Sequence, residues 1–210
     1  MLSLLRLKYF KFREHQNQHG FLSACGFTLY HMDEAVPVAK DLNDIPPVKA
    51  SAEALHLIEV APDAFSAMVF KTPLRNCRER AEIYFRRGYR VLALVSDETV
   101  VGDLWYVSRS TALTPGIHPD LQRLNIDLGD NEVYMFDMHV SSQQRGGGLA
   151  THLLSSALHH LHDRGYSRAW GYYSAYNIPA LWVHRLIGYK EFPHYILRRF
   201  FVYRTVRVKG

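Results

Sequence analysis

Apolar residues recur along the chain in patterns that predict an alternation of strands and helices. The clearest pattern lies in Gly148–Arg164, where the apolar positions fall on one face of a helix. These positions are Leu149, Leu153, Leu154, Ala157, Leu158 and Leu161. Gly165 follows directly, as is common at a helix end. Residues Arg90–Ser96 and Thr99–Ser108 are rich in Val, Leu, Tyr and Trp, and the polar pair Asp97–Glu98 between them predicts a β-hairpin.

The remaining segments extend this pattern in a mixed order. Strands are predicted at Phe27–Met32, Glu132–Val140, Arg168–Ser174, Tyr189–Phe192 and Tyr195–Val208, and regular structure is expected to begin at Ala54–Val60. Helices are predicted at Asp63–Phe70, Arg75–Arg87 and Ala180–Leu186, with a single helical turn around Asp120–Leu124. Such an order predicts an α/β domain built on one central mixed sheet. We expect residues 1–50 to form an N-terminal arm of uncertain structure and residues 51–210 to form the domain.

Composition and charge narrow the classes of protein. With 48% hydrophobic and 21% charged residues, the chain has globular composition, which excludes a disordered, collagen-like or coiled-coil protein. The positive net charge of +5 comes from the two ends of the chain. Residues 1–20 carry four Lys or Arg and one Glu, and residues 185–210 carry seven Lys or Arg and one Glu. A nucleic-acid-binding protein usually carries a basic stripe across its working face, so no nucleic-acid partner is predicted.

Two further features concern location. No run of about 18 apolar residues exists, so integral membrane association is not predicted. Two cysteines cannot form a disulfide scaffold, which favours a reduced, cytoplasmic setting. The apolar and basic residues 1–20 leave open an arm that contacts a membrane or a partner, and the oligomeric state, including a homodimer, is also left open.

A glycine-rich loop carries the strongest chemical signal. The predicted strand ends at Val140, and residues 141–150, which include Gly146, Gly147 and Gly148, open the best helix of the chain. Bare backbone and the free N–H groups of a helix start favour a phosphate or pyrophosphate. A nucleoside-triphosphate P-loop is excluded because Gly-Leu-Ala replaces Gly-Lys-Ser/Thr, and a Rossmann site because the third glycine is missing. A glycine loop without a ligand remains the alternative.

Two motifs together resemble those of the GNAT superfamily of N-acetyltransferases. The first is Arg145-x-x-Gly148-x-Ala150, which is similar to the loop that holds the pyrophosphate of acetyl-coenzyme A in that family. The second is Asn177-x-x-Ala180 followed by Gly188-Tyr189. The resemblance covers roughly residues 54–205 and implies a GNAT-like fold, with a central mixed, mostly antiparallel, splayed sheet flanked by helices.

The resemblance also implies a reaction and a set of site residues. It implies direct transfer of the acetyl group of acetyl-CoA, as cosubstrate, to a primary amine of a small molecule, an amino acid or a protein. The implied coenzyme-binding residues are Met138, His139 and Val140 through main-chain atoms, the loop residues Arg145, Gly146, Gly147, Gly148, Leu149 and Ala150, and Asn177. A non-catalytic acyl-CoA-binding module and an acyltransferase with a longer acyl donor remain alternatives.

Candidate catalytic residues follow from the same alignment of motifs. His184 occupies the position of the tyrosine general acid that is usual in the family, and Tyr172, Tyr173 and Tyr176 are alternative hydroxyl donors. Asp137 is the candidate base, and His139 is expected on the same side of its strand unless a bulge intervenes. Tyr134 lies where some relatives carry a glutamate base.

A metal site is not predicted. His159, His160 and His162 lie late on the long predicted helix, but no carboxylate or cysteine with ligand spacing accompanies them. A solvated histidine cluster is the simpler interpretation.

Overall fold

A computed structural model describes residue 16 and residues 30–47, 55–141, 148–200 and 203–209. In this described part of the chain, ten strands form one sheet in the order β10-β9-β1-β7-β6-β5-β4-β2, with β3 beside β5 and β8 beside β1. The strands are β1 (Tyr30–Asp41), β2 (His56–Val60), β3 (Val69–Phe70), β4 (Arg90–Ser96), β5 (Thr99–Ser108), β6 (Glu132–Val140), β7 (Arg168–Ser174), β8 (Lys190–Glu191), β9 (Tyr195–Phe200) and β10 (Tyr203–Val208). Only the β6–β7 and β3–β5 pairs are parallel among them.

Helices cover both faces of this sheet. They are α1 (Pro62–Phe65), α2 (Arg78–Arg86), α3 (Pro119–Arg123), α4 (Leu149–Asp163) and α5 (Ile178–Ile187). Side chains of α1, α2 and α3 pack on one face, which we call the α2 face, and side chains of α4 and α5 pack on the other, which we call the α4 face. The predicted fold class, an α/β domain on a mixed, mostly antiparallel sheet, is therefore confirmed.

Local sequence signals account for the best-predicted elements. All six predicted apolar positions of α4 are buried in the core of the α4 face, and burying one such leucine stabilises the fold by about 1.5–3 kcal/mol. The predicted hairpin is confirmed as β4 and β5, and Asp97 and Glu98 at its turn have φ of 45° and 62°. Two consecutive positive φ values match the tight turn that joins twisted antiparallel strands.

After residue 60, three predicted elements differ in type, start or number from the structure. Helix α1 stops at Phe65, because Val69–Phe70 pairs with Thr99–Val100 as strand β3. The helix predicted from Arg75 begins at Arg78, after a 3₁₀ turn at Pro73–Arg75. The single strand predicted at Tyr195–Val208 is two antiparallel strands, β9 and β10.

Strand β1 lies inside the sheet, between β9 and β7. It spans Tyr30–Asp41, whereas the predicted strand was Phe27–Met32. Because β1 pairs with strands from later in the chain, a boundary at residue 50 would divide one sheet. Apart from residue 16, residues 1–29 of the predicted arm lie outside the described residues. Within the described residues, no helix has the length and apolar character needed to cross a membrane.

Candidate functional site

The sheet opens between its two central parallel strands. Strand β6 pairs with β7 only over Glu132–Tyr134 and Arg168–Trp170. Beyond these residues, β6 stays with β5 and β7 stays with β1. The two strands are still close at Gly171, where an added Cβ would lie 3.2 Å from the carbonyl oxygen of Met135. The opening past this point exposes the facing edges of both strands, and we call it the notch.

A β-bulge shapes the β6 side of the notch. His139 pairs with Asp103 and Phe136 pairs with Trp105, so Asp137 and Met138 together oppose a single residue of β5. Asp137 has φ of 50°, in the left-handed region that non-glycine residues rarely adopt. Such conformations persist where the surroundings hold them, and they are frequent at functional sites.

The bulge determines which face each side chain reaches. Met138 and Val140 pack against the core of the α4 face. On the α2 face, the Asp137 carboxylate contacts Tyr84, and His139 Nε2 lies 3.2 Å from Thr72 Oγ1. Asp137 and His139 thus share a face, as the two-residue period of the strand predicted.

A buried group of two arginines and two aspartates, which we call the Arg–Asp cluster, surrounds the bulge. Its members are Arg75, Arg80, Asp103 and Asp137. The Asp137 carboxylate accepts hydrogen bonds from Arg75 (3.0 Å), Arg80 (3.1 Å) and the Tyr84 hydroxyl (3.3 Å). Opposite charges and hydrogen bonds favour the ionised carboxylate and oppose proton uptake by it. This geometry argues against Asp137 as a base, although its catalytic role stays a prediction.

Three members of this cluster were not predicted from the sequence: Arg75, Arg80 and Asp103. One signal was available, because Asp103 stands inside the otherwise apolar strand Thr99–Ser108 and is 1% exposed. A charged residue at such a depth needs a partner of opposite charge. The identity of the partners depends on tertiary contacts and could not be read from spacing.

The start of α4 lies at the end of the predicted coenzyme loop. Gly148 is exposed and occupies the N-cap with φ of 76°, and among the described residues no side chain caps the helix. Leu149 is buried and Ala150 is partly buried on the first turn. Arg145, Gly146 and Gly147 lie outside the described residues. An uncapped helix start presents free N–H groups and the positive end of the helix dipole, which can bind an anion.

His184 lies in an aromatic environment on α5. Its ring stacks on Tyr173 with centroids 5.2 Å apart and meets the edge of Tyr189 at 4.8 Å. Burial lowers the pKa of His184 below its ordinary value of 6.5, so the imidazole is neutral at pH 7. Nδ1 lies 2.7 Å from the carbonyl oxygen of Ala180. Because a carbonyl can only accept, Nδ1 carries the proton and Nε2 does not. The predicted role as a general acid stays untested, and this tautomer counts against it.

The other candidate residues have local partners. Asn177 caps α5, since its Oδ1 accepts from the N–H of Ala180 at 3.2 Å. The Tyr173 hydroxyl donates to Glu191 at 2.8 Å, and burial raises the pKa of Tyr173 to about 12. Burial raises the pKa of Tyr172 and of Tyr134 as well, which keeps both hydroxyls protonated. Tyr176 is exposed.

The α2 face beside the notch carries carboxylates around Tyr172. Besides burial, the negative charges of Asp120, Asp33 and Asp137 contribute to the raised pKa of this tyrosine, while Arg123 opposes them. Asp33 on β1 accepts a hydrogen bond from Ser174 at the end of β7. Asp120 is paired with Arg123, and Asp137 with Arg75 and Arg80, so arginines offset two of these three carboxylates.

The histidines of α4 make structural contacts. His159 Nε2 lies 3.1 Å from the carbonyl oxygen of Pro46, and His160 Nε2 lies 3.3 Å from Glu59. His162 is exposed. Among the residues that the structure describes, no group of three or more His, Cys, Asp or Glu side chains could hold a metal ion.

Comparison with known proteins gives a family match. Residues 62–189 match the model of the acetyltransferase (GNAT) family. This match covers more than half of the chain and includes α1 to α5 and strands β3 to β7. No curated protein matches the chain.

Solved structures share the fold at low identity. One is a GCN5-related glucosamine N-acetyltransferase region of a fungal multi-domain GH3 β-N-acetylglucosaminidase, with 19% identity and a TM-score of 0.55 over 88% of this chain and 23% of that chain. A GCN5-related N-acetyltransferase from Sphaerobacter thermophilus has 17% identity and a TM-score of 0.52, over 100% of this chain and 58% of that one. A tandem GNAT protein from the clavulanic acid biosynthesis pathway has 16% identity and a TM-score of 0.53, over 87% of this chain and 57% of that chain. This chain therefore spans less than two thirds of each of these proteins.

Proposed function

The chain belongs to the acetyltransferase (GNAT) family, and on that basis we propose that it transfers the acetyl group of acetyl-CoA directly to a primary amine. The observation that carries the proposal is the notch between β6 and β7, which lies at the C-terminal end of the strand that leads to α4. The extended pantetheine arm of the coenzyme can enter the sheet at the notch, and the phosphates of the coenzyme can then reach the start of α4.

The residues at the start of α4 fit an anionic group. Gly148 is exposed and left-handed, and a Cβ added to it would meet no described residue within 4 Å. A glycine N-cap has no side chain to bond the first N–H groups of the helix, which suits these groups to a phosphate oxygen. We assign the pyrophosphate to Gly148, Leu149 and Ala150 together with Arg145, Gly146 and Gly147, and the pantetheine arm to the main chain of Met138, His139 and Val140.

Acetyl transfer removes one proton from the amine nitrogen and adds one proton to the sulfur. When bound, acetyl-CoA supplies the acetyl group at a thioester: an N–C bond to the amine forms, the C–S bond breaks, one proton leaves the nitrogen and the sulfur ends as a thiol. Asp137 is held by two guanidinium groups, so we assign proton removal to His139 or to water in the notch. Nε2 of neutral His184 has no proton to give, so we expect the sulfur to take its proton from water.

The acceptor is proposed to approach from the α2 face. Asp33, which accepts a hydrogen bond from Ser174 at the end of β7, favours an acceptor with a positive charge near its amine, because opposite charges attract across a partly buried site. A small amine with a second cationic group meets this requirement directly, and an amino acid or a protein amino group meets it where a basic side chain lies nearby. The cytoplasmic location inferred from the cysteine content stays a prediction.

Calorimetric titration of the coenzyme-free protein tests the proposal. Acetyl-CoA is titrated beside coenzyme A and a longer acyl-CoA, and release of free thiol is then followed with a panel of amines. Binding of acetyl-CoA with amine-dependent thiol release supports acetyl transfer, and preference for the longer donor redirects the assignment to that acyl group. A folded protein that binds none of the three refutes the coenzyme site.

One observation favours a second candidate, a non-catalytic acyl-CoA-binding module. The family's acid position holds His184, whose Nδ1–H is bonded to Ala180 within its own helix. Binding of acetyl-CoA without thiol release, for every amine of the panel, would identify the protein as such a module.

A further inference from the structure

Arg75 joins two strands of the sheet from a position outside them. It ends the 3₁₀ turn Pro73–Arg75 and is 2% exposed. Its Nε and Nη2 donate to the two carboxylate oxygens of Asp103 on β5, at 3.0 and 2.7 Å. This two-bond contact fixes the plane of the guanidinium group.

The rest of the same guanidinium group holds the bulge of β6. Nη1 donates to the Asp137 carboxylate at 3.0 Å, and Nη2 donates to the Asp137 backbone carbonyl at 2.8 Å. Arg80 donates to the second carboxylate oxygen of Asp137 at 3.1 Å and to the carbonyl of Arg75. Both the side chain and the main chain of the left-handed residue are therefore anchored.

The backbone contact orients one peptide group. The carbonyl of Asp137 points toward Arg75, and the N–H of Met138 belongs to the same planar peptide. In a trans peptide the C=O and N–H bonds point in opposite directions, so the Met138 N–H points away from Arg75. Preorganised N–H groups aimed at developing negative charge are among the strongest contributions to acyl transfer.

We propose that Arg75 is a positioning residue for acetyl transfer: it holds the Asp137–Met138 peptide so that the Met138 N–H donates to the thioester carbonyl oxygen. The inference rests on the proposed function, because it assigns the donor for that same reaction. A positioning role for Arg75 and a purely structural role predict different effects on kcat. Loss of Arg75 lowers kcat even in a variant whose stability is preserved.

The double variant Arg75→Met/Asp103→Leu separates the two roles. Removing one partner of a buried ion pair leaves an uncompensated charge, whereas replacing both by apolar side chains of similar volume keeps the fold stable. The double variant also leaves the Arg80–Asp137 pair in place. We expect its kcat to fall about 100-fold, with KM for acetyl-CoA changed by less than about threefold, as for a misplaced transition-state donor.

Arg90→Met is the matched control. Arg90 on β4 forms an ion pair with Glu59 on β2 at 2.8 Å, on strands separated from β6 by β5, and Arg164 also contacts Glu59 at 2.6 Å. Its kcat should stay within about twofold of wild type, since most surface substitutions are nearly neutral. A double variant as stable and as active as the control would overturn the positioning role.

A spectroscopic measurement reports the peptide itself. Of the five methionines, only Met138 follows an aspartate, so protein made with carbonyl-¹³C aspartate and ¹⁵N methionine gives one correlated signal. That signal should shift in the double variant and stay in place in Arg90→Met. An unmoved signal, or a moved signal with wild-type kcat, would overturn the inference.

The proposed function fails in a different way. Wild-type protein that shows no thiol release, and whose Met138 signal does not respond to acetyl-CoA, would refute acetyl transfer and with it the role of Arg75 in that reaction. If wild type is active and its Met138 signal responds to acetyl-CoA, but the double variant keeps the kcat of wild type, only the positioning role of Arg75 is refuted.

Discussion

At Gly148 the charge of a side chain can be changed without changing the shape of the fold. The residue is the N-cap of α4 with φ of 76°, and a Cβ added there would contact none of the residues that the structure describes within 4 Å. Asn and Asp are nearly equal in size and tolerate the left-handed conformation better than other residues. The variants Gly148→Asn and Gly148→Asp therefore differ in one negative charge.

The structure predicts opposite effects of that charge on stability and on coenzyme binding. A carboxylate at a helix start interacts favourably with the helix dipole, by about 0.3–1 kcal/mol, so the Asp variant should unfold with the higher free energy. Two like charges about 4 Å apart repel by about 1 kcal/mol in water and by about 4 kcal/mol near a protein surface. Because Gly148 is exposed, we take about 2 kcal/mol, which corresponds to roughly 30-fold weaker binding of acetyl-CoA by the Asp variant.

Titration calorimetry and urea unfolding measure the two quantities. Gly165 supplies the control, because it follows the other end of α4 with φ of 85° and equally open surroundings. There, Asp should be less stable than Asn, since the dipole is reversed, and the two variants should bind acetyl-CoA alike. Equal affinities of the two folded Gly148 variants for acetyl-CoA would refute the assignment of the pyrophosphate to this helix.

Three further predictions follow from single positions. Gly88→Ala should lower the free energy of unfolding, measured with urea, by about 3 kcal/mol or more, because its Cβ would lie 1.8 Å from the carbonyl oxygen of Thr111. Gly165→Ala should lower it by about 1 kcal/mol, and equal losses in the two variants would contradict this prediction. His184→Phe should keep kcat within about tenfold of wild type, and a loss of kcat above about 100-fold would restore His184 as the acid. Wild type should lose stability as the pH falls below about 6.5, because the unfolded state then binds a proton at His184 more readily than the folded state does, and this loss should be absent from His184→Phe. His139→Gln should lower kcat by about 100-fold, the loss expected for a general base, and a kcat close to that of wild type would assign proton removal to water.

Local signals were sufficient for elements that depend on their own residues. The six apolar positions of α4 and the turn at Asp97–Glu98 predicted a helix and a hairpin that the structure confirms. Each of these elements is specified by spacing within about fifteen residues, either through a helical stripe or through a two-residue turn. The glycine loop gave the family by the same kind of local pattern.

Elements that depend on distant partners could not be predicted in this way. Val69–Phe70 looked helical because its apolar residues continue the pattern of Asp63–Phe65, but parallel pairing with Thr99–Val100 makes it a strand. Arg75 and Asp103 are separated by 28 positions, so their contact leaves no spacing signal. The same holds for the bulge at Asp137, which is a mismatch in length between β5 and β6.

The bulge matters because it decides which side chains of β6 face each side of the notch. Met135 lies on the α4 face and Phe136 on the α2 face, so unbroken alternation would place Met138 on the α2 face and His139 in the α4 core. The extra residue reverses this order, and Met138 and Val140 join the apolar α4 core instead. Asp137 bears the cost as an unfavourable φ, and the two arginines that hold it offset that cost. One strand can then offer apolar packing on the α4 face, where we propose that the coenzyme binds, and ionisable groups on the α2 face, from which we propose that the acceptor approaches.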